Sequence, residues 1–269
     1  MSLPLPSSLS PSKVSSFKDC ALAFRLSNID KLPEAPSPWA VKGTLVHRAL
    51  QLLFWEEDQG RRTVAAGLAK LARAWDELAD DPEFVELALG DDDKAAFHDE
   101  AVALVERYFE LEDPNAVRVV GVELLMSVQL GSLLLRGIID RLELDDDGEL
   151  VVTDYKTGRA PSDRYERTRM AGVYFYAFLV EHVLGRRPAR VQLLHLQEPV
   201  AISIALSDQS IRAMETRTRA IWTAVERACA TEDFRPRPGR LCDFCAYKAY
   251  CPAWGGSLEQ LAPATLLAG

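Results

Sequence analysis

The chain has 269 residues, 48% hydrophobic and 26% charged, enough to bury one large core or two modest ones. No apolar run approaches the roughly 18 residues that a bilayer span needs. The opening MSLPLPSSLSPSK lacks the basic and apolar regions of a secretory signal, so a cytoplasmic protein is expected. The formal net charge of -9 taken as a sum argues against a polyanionic partner, but its distribution is uneven. Residues 56–100 hold fourteen acids and five bases, whereas residues 156–251 hold sixteen bases and ten acids. Arginines gather at 164/167/169, 186/187/190 and 235/237/240, a pattern compatible with a phosphate-binding half and equally with ordinary solvated surface.

In chain order, SPSKVSSFKDCALAFRLSN at 10–28 spaces Val14, Phe17, Ala21 and Phe24 as a helix, with Ser and Pro as start signals. A proline-rich loop follows, then a second helix in GTLVHRALQLLFWEE and two acidic helices over 63–80 and 93–112. Strand signals begin near residue 117. AVRVVGVELLMSVQL and SLLLRGIIDRLEL are separated by Gly131, and DDDG joins the second to ELVVTDYKT as a hairpin. A helix over 163–184, two strands in ARVQLLHLQ and PVAISIAL, and a long helix over 207–231 complete the pattern. RPRPGRLCDFCAYKAYCPAW then reads as a loop. This order predicts an α/β core, a central mixed sheet flanked by helices, with a helical N-terminal addition. One domain over 1–269 is expected: 1–115 mostly helical, 116–232 the α/β core, and 233–255 a cysteine-rich loop.

Within LVVTDYKTG, strand alternation sends Asp154 and Lys156 to one face and Tyr155 to the other. A hairpin centred on Asp147 places Asp140 opposite Asp154. Two facing carboxylates are unfavourable unless a cation lies between them. Oxygen ligands suit Mg²⁺ or Mn²⁺, with Lys156 near enough to act on water or phosphate. A solvated hairpin with a salt bridge accounts for the same three residues.

GTLVHRAL, GVELLMSV, RGIIDRLEL and VVTDYKTGR occur in that order, and together they resemble the RecB-type branch of the PD-(D/E)XK nucleases. The resemblance implies a restriction-endonuclease-like core. It implies a divalent metal held by His47, Asp140 and Asp154, with the Tyr155 carbonyl and Glu123 as further ligands, and Lys156 as the catalytic lysine. It also suggests DNA contact from Tyr176, for which core packing is an equal reading. The family's glutamine, four residues before that tyrosine, is replaced by Gly172, which leaves turnover and strand placement open.

Cys242, Cys245 and Cys251 form C-x2-C-x5-C, with Cys20 far upstream. Such thiols suit structural Zn²⁺ or a [4Fe–4S] cluster. The split layout resembles the iron–sulfur staple of AddB-type nucleases, which implies the cluster and closure of the chain's two ends by Cys20. Cys229 stands apart and reads as packing. The resulting expectation is a metal-dependent exonuclease on single-stranded or frayed DNA, serving repair or recombination. Arg164, Arg235, Arg237 and Arg240 would track the backbone. No phosphate loop of the G-x-x-x-x-G-K-[ST] type is present, so a separate helicase would supply unwound strands. The alternatives are a non-catalytic iron–sulfur module that grips DNA or a helicase, and a zinc-stapled enzyme acting on RNA.

Overall fold

The computed structural model describes residues 2–159 and 163–260, the side chains of 163–171 and 260 excepted. Six helices precede the first strand: α1 (Pro11–Asp19), α2 (Ala21–Asn28), α3 (Pro38–Glu56), α4 (Val64–Leu78), α5 (Pro82–Glu86) and α6 (Asp91–Leu111). The helix expected over 10–28 is therefore two. Cys20 between them is extended at φ -160° and ψ 111°. Phe17 and Phe24 nevertheless meet edge to face at 5.2 Å, so apolar spacing continued across a break that the backbone makes. The short α5 was not foreseen; Pro82 starts it, and the Asp81 carboxylate caps the Glu83 amide at 2.9 Å.

The strands β1 (Arg118–Leu130), β2 (Leu133–Leu144), β3 (Leu150–Lys156), β4 (Arg190–His195) and β5 (Val200–Ala205) form one sheet in the order β1-β2-β3-β4-β5. β2/β3 and β4/β5 are antiparallel and β3/β4 parallel, as a crossover through α7 (Asp163–Leu184) requires. α8 (Asp208–Thr231) follows β5. The β2/β3 register pairs Arg141 with Thr153 and Leu144 with Leu150, so the hairpin is centred on residue 147 as expected. The Asp145 carboxylate accepts the Asp147 and Glu149 amides at 3.1 and 2.9 Å, and Gly148 takes φ +76°. Beyond residue 239 the expected loop is wound into short 3₁₀ turns.

The chain divides into two compact units: residues 1–34, 127–136 and 212–269, and residues 35–126 and 137–211. In the first, Leu9 bridges Leu135, the Trp222 indole donates to Ser132 at 3.1 Å, and Cys229 is buried. In the second, the apolar sides of α3, α4, α5 and α6 bury Leu45, Leu53, Leu71, Phe84 and Tyr108 in one core, which reaches Tyr155 and Leu194 on the sheet. Among the described residues, no helix is long and apolar enough to cross a membrane.

A charge lies within this second core. Arg141 is fully buried. Its guanidinium pairs with Glu112 and Glu143 and donates to the Tyr155 hydroxyl at 2.9 Å and the Tyr108 hydroxyl at 3.3 Å. Removing one partner from such a set leaves two carboxylates buried without a counter-charge. Arg141→Ala should cost about 3–5 kcal/mol, read as a lower urea midpoint, and Arg141→Lys should restore only part of it, because one ammonium cannot serve two forks.

Candidate active site

α3 carries the first site residue. Gly43 and His47 lie one turn apart on one stripe of that helix. A Cβ on Gly43 would come within 3.1 Å of the Thr157 hydroxyl, so the bare glycine lets α3 run close to the end of β3. His47 then reaches Tyr155. Its Nε2 donates to the Tyr155 carbonyl at 3.1 Å, and the two rings meet edge to face at 5.8 Å. A carbonyl only accepts, so Nε2 carries a proton and Nδ1, 3.5 Å from Asp140 Oδ2, is the nitrogen left to bind a cation.

Asp140 and Asp154 come from neighbouring strands. Asp140 Oδ2 accepts the Tyr155 amide at 2.7 Å, entering the ladder where a backbone carbonyl would otherwise serve. Asp154 is ion-paired with Lys156, whose side chain is 44% exposed, and Asp154 Oδ2 has no hydrogen-bond partner beyond that contact. Glu123 arrives differently. It lies inside β1 at φ +49°, costly for a non-glycine residue. Exposure alternates along β1 until residue 120, is interrupted over 121–124, and resumes with the opposite parity, the mark of a one-residue bulge. A Cβ on Gly121 would meet the Leu124 side chain at 2.8 Å, so a glycine is what allows the strand to fold over there. The bulge turns the Glu123 carboxylate toward His47 and Asp140.

Among the described residues, His47, Glu123 and Asp140 each offer a ligand atom, all within 4.8 Å of one another. Asp154 stands beside this set, held by Lys156, and the Tyr155 carbonyl is engaged by His47. A cavity of about 440 Å³ opens over His47, Glu123, Arg48 and Thr157. The electrostatics are those of crowded acids. Burial, then the Asp140 charge, pushes the Glu123 carboxyl up to about 7, against His47 and Arg48. Burial also raises Asp154, opposed by Lys156 and reinforced by Asp140. Burial lowers the proton affinity of His47, but the Asp140 bond and the charges of Asp140, Asp154 and Glu123 outweigh it and leave it raised. Burial and the same three acids raise the Tyr176 phenol, which keeps its proton as a donor. These donors suit a hard divalent cation, which would relieve their repulsion.

The remaining predicted residues lie elsewhere. Gly172 and Tyr176 are in α7, where the Tyr176 ring comes 3.3 Å from the position of a Cβ on Gly137. The Arg164 side chain falls outside the described residues. Arg186, Arg187 and Arg190, one of the three basic groups, are paired with Glu149, with Glu181 and Asp208, and with Asp145. In the other unit, Arg235 pairs with Asp233, Arg237 donates to the Lys18 carbonyl at 2.9 Å, and Arg240 is exposed. There Cys20, Cys242, Cys245 and Cys251 line one cavity of about 240 Å³. Burial pushes the Cys245 thiol up, countered by the Tyr247 amide and reinforced by the other three thiols. No three of these sulfurs fall within 4.8 Å of one another among the described residues.

Residues 8–252 match the sequence profile of the PD-(D/E)XK nuclease superfamily. The chain belongs to that superfamily. Its members are hydrolases of phosphodiester bonds, so a nucleic acid is the substrate. The match spans both compact units. The "Gene 69 protein" of Mycobacterium phage D29 is 27% identical over 187 residues, 62% of this chain and 67% of that one. A crystal structure from Eubacterium rectale, of a protein named "Putative exonuclease", superposes with a TM-score of 0.58 at 12% identity, covering 89% of this chain and 87% of that one. That likeness supports the restriction-endonuclease-like fold expected from the sequence.

The raised Glu123 carboxyl gives a sign to test. Its folded pKa of about 7 lies above the ordinary 4.5, so its contribution to stability is fully present below pH 4.5 and is lost as pH rises through 7. In metal-free protein, Glu123→Gln should match the wild type in melting temperature near pH 4.5 and exceed it increasingly toward pH 8. Added Mn²⁺ should reverse the order at pH 8, measured by scanning calorimetry.

Proposed function

We propose that this chain is a divalent-cation-dependent deoxyribonuclease, an exonuclease that trims single-stranded or frayed ends in DNA repair or recombination. The observation that carries the reading is the convergence of His47, Glu123 and Asp140 beside the Asp154–Lys156 pair. His47, Glu123, Asp140 and Asp154, with the Tyr155 carbonyl's second lone pair, would hold Mg²⁺ or Mn²⁺. When bound, such a cation supplies positive charge to the scissile phosphate and acidifies water. The chain's own groups do the rest. The exposed ammonium of Lys156 hydrogen-bonds the attacking water and the charge that develops on phosphate. Asp154 fixes that ammonium in place. Tyr176 donates its hydroxyl proton toward the substrate backbone. Arg164, Arg235, Arg237 and Arg240 add phosphate contacts, the whole chain 1–269 acts as one cytoplasmic nuclease domain, and a separate helicase delivers unwound strands.

We also infer that Cys20, Cys242, Cys245 and Cys251 hold a [4Fe–4S] cluster. The four thiols line one cavity, and their split spacing, one cysteine far upstream of three, is the layout that supports the cluster over a structural zinc. Metal analysis should give about four irons per chain and no zinc. Stoichiometric zinc would overturn the inference.

Cleavage is tested with end-labelled single-stranded DNA and Mn²⁺. Asp154→Ala and Lys156→Ala should each lower the rate about 10²-fold or more while leaving DNA binding in place. A wild-type chain that binds but never cuts would instead support a non-catalytic binding module, with Gly172 as its trace. Preferential cutting of an RNA of the same sequence would reassign the substrate.

A further inference from the structure

The acid cluster and its lysine leave an exposed tryptophan beside them without a role. Trp39 lies in the first turn of α3, two turns before His47 and roughly 12 Å along the axis, with Gly43 between them on the same stripe. It is 70% exposed, unusual for a side chain that ordinarily gains most by burial. It is not loose. The Lys42 ammonium lies 4.5 Å from its ring centroid. Lys42 is itself only 6% exposed, ion-paired with Glu100 and 5.4 Å from the Phe97 ring. The indole is thus braced on one side by a fixed cation and bare on the other.

Trp39 also divides two cavities. One holds His47 and Glu123. The other, about 380 Å³, is lined by Trp39, Lys42, Thr157, Gly158, Arg159 and Gln197. Among the described residues no carboxylate lines this second cavity, in contrast to the crowded acids of the first, and the charged groups there are a lysine and an arginine. Thr157 also lines both, so the two openings are neighbours across the tryptophan.

We propose that Trp39 and this second cavity form a subsite for one unpaired nucleotide next to the scissile phosphate, its base stacked on the free indole face and its phosphate met by Arg159. The proposal rests on the nuclease reading for its substrate class and deepens it. Every base has a π-face, so stacking on one indole is indifferent to sequence. It does require a base free of its partner, and the duplex supplies none. The subsite therefore selects single strands and frayed ends by chemistry that lies outside the metal ligands.

The test is binding in EDTA, where no cleavage confuses the readout. Anisotropy of a short labelled oligo-dT is compared with a strand of the same length built from abasic units. Trp39→Ala and Trp39→Leu should weaken oligo-dT binding about tenfold or more and leave abasic binding unchanged, while Trp39→Tyr should keep most of the affinity. Arg159→Ala should weaken both strands alike and lower the salt slope by about one. Equal loss on both strands in the Trp39 variants, or no loss on oligo-dT, overturns the subsite. The two readings fail separately. A chain that binds in this pattern but never cuts with Mn²⁺ loses the nuclease reading and keeps the subsite. A chain that cuts normally while Trp39→Ala binds like the wild type loses only the subsite.

Discussion

A single residue, Tyr155, ties the site together through three separate bonds. Its amide donates to Asp140, its carbonyl accepts from His47, and its hydroxyl accepts from Arg141. Groups from α3, β2 and β3 are thereby held to one point of the sheet, and the acids that flank it in sequence and space inherit that precision. Strand alternation makes this possible. The tyrosine side chain turns into the helical core while its neighbours Asp154 and Lys156 turn the other way, so the same three residues anchor the core and furnish the chemistry.

The two sides of β3 handle charge in opposite ways. Toward the helices, Glu112 and Glu143 are answered by Arg141, with Thr153, Tyr108 and Tyr155 completing the hydrogen bonds. That side is satisfied by the protein alone, as a buried network must be to be stable. Toward the cavity, Asp140, Asp154 and Glu123 crowd together against Lys156, His47 and Arg48, and the carboxyls of Glu123 and Asp154 are raised. An internal network that needs nothing lies against an acid cluster that needs a cation. The first holds the strand rigid where the second concentrates unmet charge, which is how a preorganised site differs from a chance group of acids.

Much of this was readable in advance where local chemistry repeats a rule. The DDDG turn centred the hairpin on residue 147, and the observed pairing of Arg141 with Thr153 follows from it. His47 was found by motif order. Glu123 was named by resemblance, but its route into the site was not visible, because the bulge that redirects it breaks the alternation on which strand reading depends. Arg141 was missed, although an arginine two residues before Glu143 on a buried strand was a signal that the pair would face inward together. The division of the first helix at Cys20 was hidden for a related reason: Phe17 and Phe24 remain in helical phase across an extended residue. The basic group at Arg186, Arg187 and Arg190 reads equally as phosphate surface or solvated surface, since a sequence shows where charges are but not which acids fold back upon them. Its arginines are ion-paired with Glu149, Glu181, Asp208 and Asp145.

The division of the chain into units has a bearing on how the protein is made. One unit is assembled from residues 1–34, 127–136 and 212–269, the other from 35–126 and 137–211, so each is interrupted by the other. On the ribosome the first helices emerge early but wait for nearly the whole polypeptide before their companions α8 and the three late cysteines appear. Such distant closure slows assembly and lengthens the time that apolar surface is exposed. The unit completed by residues 212–269 is therefore the last to mature during translation, and in a nascent chain halted before residue 242 the acid cluster has all its residues while the cysteine pocket lacks three of its four thiols.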